Sequence, residues 1–201
     1  MPLCNRVTPF GELVAVPGRG LLTGNRGVLH DDTRHLVRSW QVRRWIACRL
    51  AFRGRHREVM QPRRWTELFF LDEATALAAG HRPCAQCRYE DYRRFRTLWT
   101  ASHGEPSDAD AMDRVLHAER LEGARKRSYR ASFDTLPDGT YVALGGAAYV
   151  VRGDALFRWS DSGYTERLPR PRGSEACVLT PRAIVALLTA GYPVAFHPSL
   201  P

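Results

Sequence analysis

Lysine is almost missing from this chain of 201 residues: Lys126 stands alone, and the other 29 of its 30 cations are arginines. No apolar run approaches the roughly 18 residues that a membrane helix needs, and no charged-then-apolar leader opens the sequence. Cysteine is scarce and odd in number, five in all. An odd, sparse set argues against a disulfide framework. These absences point to a reducing compartment, so the expectation is a cytoplasmic protein with no membrane partner. No internal repeat stands out, which excludes a repeat array. What remains is ordinary for a globular chain, with 44% hydrophobic and 25% charged residues and plentiful aromatics. The length allows one large domain or two small ones, with a core that needs no covalent staples.

The charge is one-sided, at +9. A basic balance favours polyanionic partners, and guanidinium forks match phosphates and guanine edges. From Arg34 to Arg64 the chain carries ten arginines against one acid, Glu58, interleaved with Trp40, Trp45 and Phe52. That mixture of cations and rings suits nucleic acid. Arg43, Arg44, Arg49, Arg53, Arg55 and Arg57 are the contacts expected there. The competing reading is codon usage, with every cation spelled as arginine on a solvated face.

The expected fold class is α+β. Residues 1–39 read as a β-rich segment of short strands and Gly-bearing turns. Residues 40–102 read as a small module in which Trp45–Phe52 and a strand returning through Val59 form a basic hairpin. A short helix follows, capped by Asp72 and ended by Gly80. A second helix places Tyr89, Tyr92, Phe95 and Trp99 on one face. The segment 102–107 reads as a linker. Beyond it, residues 103–201 hold a helix over about 108–121 opened by Ser107 and Asp110. A β-meander is expected over 141–144, 148–152, 155–159 and 164–168, and a last helix follows Thr180-Pro181.

Cys84-Ala-Gln-Cys87, on a turn that opens a helix, is the strongest chemical signal. Two thiolates at this spacing reach one ion, and thiolate softness suits zinc. A redox pair shares the spacing but wants a βαβ context that the chain lacks. Two ligands do not close a site. Cys48 is the expected third, with a buried small hydrophobe as its alternative. His81 and His56 compete for the fourth place. Cys4 and Cys177 read as packing residues.

The run from Glu67 through Gly80-His-Arg-Pro-Cys84-Ala-Gln-Cys87-Arg88 resembles the second half of the metal-binding domain of the Ada DNA-repair proteins. The match is contiguous over about residues 67–88 and looser over 45–100. It implies a zinc-stabilised hairpin-and-helix module that binds DNA, in which a zinc-bound thiolate accepts a methyl group from a phosphotriester. The implied ligands are Cys48, Cys84 and Cys87, and Arg88 joins the nucleic-acid face. The resemblance breaks upstream, where Phe52 stands at the place of a fourth cysteine. A histidine there makes a closed site. Water there leaves an open one, able to hydrolyse.

A second constellation competes. His56-Arg57-Glu58 with Pro83-Cys84-x-x-Cys87 fits the signature of zinc deaminases, in which Glu58 would shuttle protons. Its frame is wrong, because Pro62 follows too soon for a helix and a helix precedes the cysteines. Catalytic candidates are therefore Cys48 as acceptor and Glu58 as acid–base. His30 with Asp32, and His117 with Glu119, read as surface pairs rather than a hydrolytic site. A third class is a zinc-stabilised protein-interaction module that touches no nucleic acid.

Overall fold

The computed structural model describes residues 2–54, 58–104 and 107–201, and it is mixed α+β. The N-terminal half builds one six-stranded sheet in the order β2-β1-β5-β3-β4-β6. Its strands are β1 (Arg6–Val7), β2 (Leu13–Val14), β3 (Leu22–Asn25), β4 (Ile46–Arg49), β5 (Leu68–Phe70) and β6 (Arg82–Pro83). Helix α1 (Glu73–Ala78) lies between β5 and β6, and α2 (Tyr89–His103) and α3 (Ala109–Arg120) follow. A small ladder joins β7 (Leu121–Glu122) to β8 (Arg125–Lys126).

The second sheet runs β13-β12-β11-β10-β14-β9 and is antiparallel throughout. The expected meander is there as β10 (Tyr141–Leu144), β11 (Ala147–Arg152), β12 (Ala155–Ser160) and β13 (Gly163–Pro169). Two strands absent from the sequence reading, β9 (Tyr129–Ser132) and β14 (Glu175–Val178), complete it. Helix α4 (Arg182–Thr189) closes the order. Among the described residues no helix is long and apolar enough to cross a membrane.

The basic hairpin is not formed as expected. β4 pairs with β3 on one side, Cys48 opposite Thr23, and in parallel with β6 on the other. Residues 58 and 59 are not strand, and 55–57 lie outside the described residues. Phe52, Arg53 and Gly54 instead lead out of the sheet, with Arg53 and Gly54 in left-handed conformations at φ 54° and 66°. The cap of α3 is also one residue later than expected: Asp108 accepts from the backbone N–H of Ala111 at 2.7 Å.

Helix α1 has the expected bounds, with Asp72 accepting from the Thr75 N–H at 2.8 Å and Gly80 left-handed at φ 84°. All six of its residues are buried. Ala76 and Ala79 face the first sheet, Ala74 and Ala78 face the second, and Leu77 meets the helical cluster of Phe95, Trp99, Leu116 and Leu187. A helix held between two sheets needs small side chains, because backbones must approach closely on both faces. Gly80 serves the same closeness, since a Cβ there would stand 2.6 Å from Arg120 Cδ.

The two acids that open α1 are buried and fully used. Asp72 accepts from the Tyr164 hydroxyl at 2.6 Å and the His197 N–H at 2.9 Å. Glu73 accepts from Arg88, from the Tyr192 hydroxyl at 2.8 Å and from the Ala195 N–H at 3.1 Å. The C-terminal segment is thus strapped to the helix that leads into the cysteine turn. Glu73→Ala leaves the Arg88 charge buried and two further donors unpaired, which costs about 3–5 kcal/mol. Urea denaturation with the wild type alongside measures it.

The sole lysine is half-buried, with its ammonium turned inward. Lys126 donates to the Ala78 carbonyl beside Arg26 and Arg120, and burial followed by those two charges pulls its pKa down to about 7. Because the folded value lies below the unfolded one, the unfolded chain binds more protons between pH 7 and about 10. Stability contributed at this site therefore rises with pH across that window. Lys126→Met removes the rise and stabilises the protein most at neutral pH. Melting temperatures at pH 7 and pH 9.5, compared between the two proteins, test the sign.

Candidate metal centre

Three cysteines converge because three pieces of backbone are pinned side by side. The parallel register of β4 and β6 sets Ile46 opposite Arg82 and Ala47 opposite Pro83. The Cys84 N–H then continues the ladder to the Ala47 carbonyl at 3.0 Å, placing Cys84 beside Cys48. The turn after it closes when Arg88 N–H donates to the Cys84 carbonyl at 3.1 Å, and this brings Cys87 round to the same spot. The sulfurs of Cys48, Cys84 and Cys87 all lie within 4.8 Å of one another. An ion with thiolate bonds of about 2.3 Å wants sulfurs roughly 3.8 Å apart, and modest side-chain rotation supplies that from here. These three close cysteines could hold a metal ion.

The sulfurs are unequal. Gln86 N–H points at Cys84 Sγ and Arg49 N–H at Cys87 Sγ, each at 3.4 Å. Among the described residues no backbone N–H reaches Cys48 Sγ. Hydrogen bonds from the Cys48 and Cys87 thiols draw the Cys84 pKa far below the ordinary thiol range, and the N–H groups of Cys87 and Gln86 reinforce this against burial. Cys48 moves the other way, mainly because its proton is committed to Cys84 and then to Cys87, with burial adding. Cys87 is pulled down by Cys48 but pushed up by more through Cys84 and burial. Three sulfurs that share their protons with one another are a set prepared for a cation, which would replace those protons.

What holds the turn is its buried flanks, and this decides several expected roles. His81 is fully buried and is not brought to the sulfurs. Its Nε2 accepts from Arg26 Nε at 3.2 Å, and its ring packs on Trp45 and Phe70. Burial, then Arg26 and Arg120, keep it neutral. Its separation of three residues from Cys84 spans a strand, where side chains at odd spacing point to opposite faces. Arg82 is buried in a two-pronged pair with Asp113, at 3.0 and 2.8 Å. Arg88, expected on the nucleic-acid face, is buried between Glu73 and Asp91 instead. It cannot meet a phosphate without abandoning Glu73.

Of the other expected contacts, Arg43, Arg44, Arg49 and Arg53 are exposed, with Arg44 paired to Asp110 at 3.2 Å. Arg55, His56 and Arg57 lie outside the described residues. Glu58 is exposed and bonded to Arg34 at 2.7 Å, away from the thiols. His30 is buried, with Nδ1 on the Thr66 hydroxyl at 2.6 Å and Nε2 on the Gln61 carbonyl at 3.1 Å, while Asp32 is exposed. His117 edges against Trp40 and bonds Arg120 at 3.1 Å, while Glu119 accepts from the Ala183 N–H at 2.8 Å.

The cysteines open into a cleft of about 240 Å³ that sequence reasoning missed. Its floor is the outward face of the first sheet, where Thr23, Asn25, Ile46 and Phe69 alternate with inward Ala47, Leu68 and Phe70. Leu50, Phe52 and Trp65 line it too, along with the carboxylate-bearing Glu67. Phe52, where a fourth cysteine would stand in the resembled pattern, thus gives an apolar wall to the side that the thiols leave open. Strict alternation along β3 and β5 was the available signal, but both strands are too short to display it.

No known protein family, curated protein or solved structure matches the chain.

The centre predicts a pattern of metal loss. Cys48→Ser, Cys84→Ser and Cys87→Ser each lower bound metal by at least tenfold, while His81→Phe leaves the metal content of the folded fraction unchanged. Elemental analysis of protein purified without chelator reads both.

Proposed function

We propose that this chain binds zinc through Cys48, Cys84 and Cys87 and binds nucleic acid, DNA first, with the arginine-bearing surface beside that centre. The observation that carries this reading is the convergence of three thiols at the edge of an open cleft. Three soft anionic donors suit zinc over the harder divalent ions. When bound, the ion keeps thiolates deprotonated and nucleophilic at neutral pH. Exposed Arg43, Arg49 and Arg53 supply the cations that a phosphate backbone needs.

Among the described residues no N–H donor reaches Cys48, which favours alkyl acceptance over hydrolysis. Hydrogen bonds to a thiolate drain its nucleophilicity, so Cys48 is the reactive sulfur of the three. Its attack on the methyl carbon of a phosphotriester forms a sulfur–carbon bond and breaks the carbon–oxygen bond. The electron pair leaves on the phosphodiester, and no proton or oxidant is needed. Glu58 supports no proton shuttle here, because it is held by Arg34.

Two measurements test the proposal. Binding of the zinc-loaded protein to a labelled duplex should weaken with salt, and removing one contacting arginine should reduce the log–log slope by about 0.9. Incubation with DNA carrying methyl phosphotriesters should add one methylene mass to the peptide containing Cys48 and to no other. Binding that ignores salt, or a Cys48 peptide of unchanged mass, contradicts the corresponding half.

A further inference from the structure

The thiol cleft has a neighbour. A second depression of about 490 Å³ shares Trp65 and Glu67 with it as a common wall and is lined beyond them by Arg63, Arg64, Gln61 and Glu58. The two differ in chemistry. The thiol side has more apolar and aromatic wall, with Thr23, Asn25, Gln86 and Glu67 as its uncharged or acidic polar groups and Arg49 as its one cation among the described residues. A phosphate there would face the Glu67 carboxylate. A nucleobase would find apolar surface for its faces and polar groups for its edge, since Glu accepts from exocyclic amines and Asn or Gln pairs with an adenine edge. On the far side Arg34 neutralises Glu58 at 2.7 Å, so Arg63 and Arg64 outweigh Glu67. That side suits phosphate.

We propose that the ligand of this paired cleft is a single-stranded nucleic acid, with one unstacked base against Trp65 and Phe52 beside the thiols and its flanking phosphates on Arg63 and Arg64. The proposal rests on the nucleic-acid reading given above. A duplex keeps its bases stacked inside and must unpair and flip one to put a base in one cleft and its phosphate in the other, a cost that a single strand does not meet. Trp65 is 46% exposed and lines both clefts.

The test uses the full-length zinc-loaded protein and short labelled oligonucleotides of one mixed sequence, as single-stranded DNA, single-stranded RNA and duplex DNA. The expected result is single strand bound more tightly than duplex. Trp65→Ala should weaken single-strand binding by about tenfold to a hundredfold with its salt slope kept, and Trp65→Phe should restore most of the loss. Arg64→Ala should reduce the salt slope by about 0.7. Arg130→Ala, on the far sheet, should do neither. Zinc content and melting temperature confirm that each variant is folded. Duplex bound as well as single strand, or Trp65→Ala indistinguishable from wild type, overturns this inference and leaves the nucleic-acid reading standing. Wild type that binds none of the three overturns both.

Discussion

Asp72 and Glu73 carry two carboxylates into the interior, and most of the molecule is arranged around keeping them satisfied. Between them they accept from a helix cap, two tyrosine hydroxyls, an arginine and two backbone N–H groups near the C-terminus. A buried carboxylate left alone would cost several kcal/mol, so these partners are held together by the charge. The short helix that follows lies between two sheets, and its end delivers the chain to Cys84. The shape of the thiol centre therefore depends on contacts made more than 100 residues away in sequence.

The same logic governs the cations. Arg26 and Arg120 each lie 3.9 Å from the Trp45 ring, and Arg120 also donates to the carbonyls of Gly80 and Arg43. Arg82 and Arg88 are closed in ion pairs. An arginine count taken from sequence mixes these internal struts with exposed side chains free to meet a polyanion. Net charge alone overstates the binding surface, and burial sorts the two groups.

Local chemistry made part of this readable. The cap at Asp72, the left-handed Gly80, the alternating strands of the second sheet and the Cys84–Cys87 turn all announce themselves over a few residues. Cys48 as the third thiol was an expectation of resemblance and hairpin placement, and the chain brings it to the other two by a parallel pairing instead. His81 misled because a histidine near cysteines reads as a ligand, while its actual partners, Arg26, Trp45 and Phe70, are distant in sequence. Trp65 carries no local signal, and Glu67 enters the sequence reading only as the start of the run that carries the resemblance. Only the pairing of β5 with β3, more than 40 residues apart, turns them toward the cysteines, and such long-range pairing leaves no periodic trace in the sequence.

The central claim is a metal held by three sulfurs with one position left to another ligand. X-ray absorption at the zinc edge of the purified, zinc-loaded protein tests it most directly. The account predicts three sulfur neighbours at about 2.3 Å and one lighter neighbour, oxygen or nitrogen, at about 2.0 Å. A shell of four sulfurs, or one with fewer than three, would contradict it.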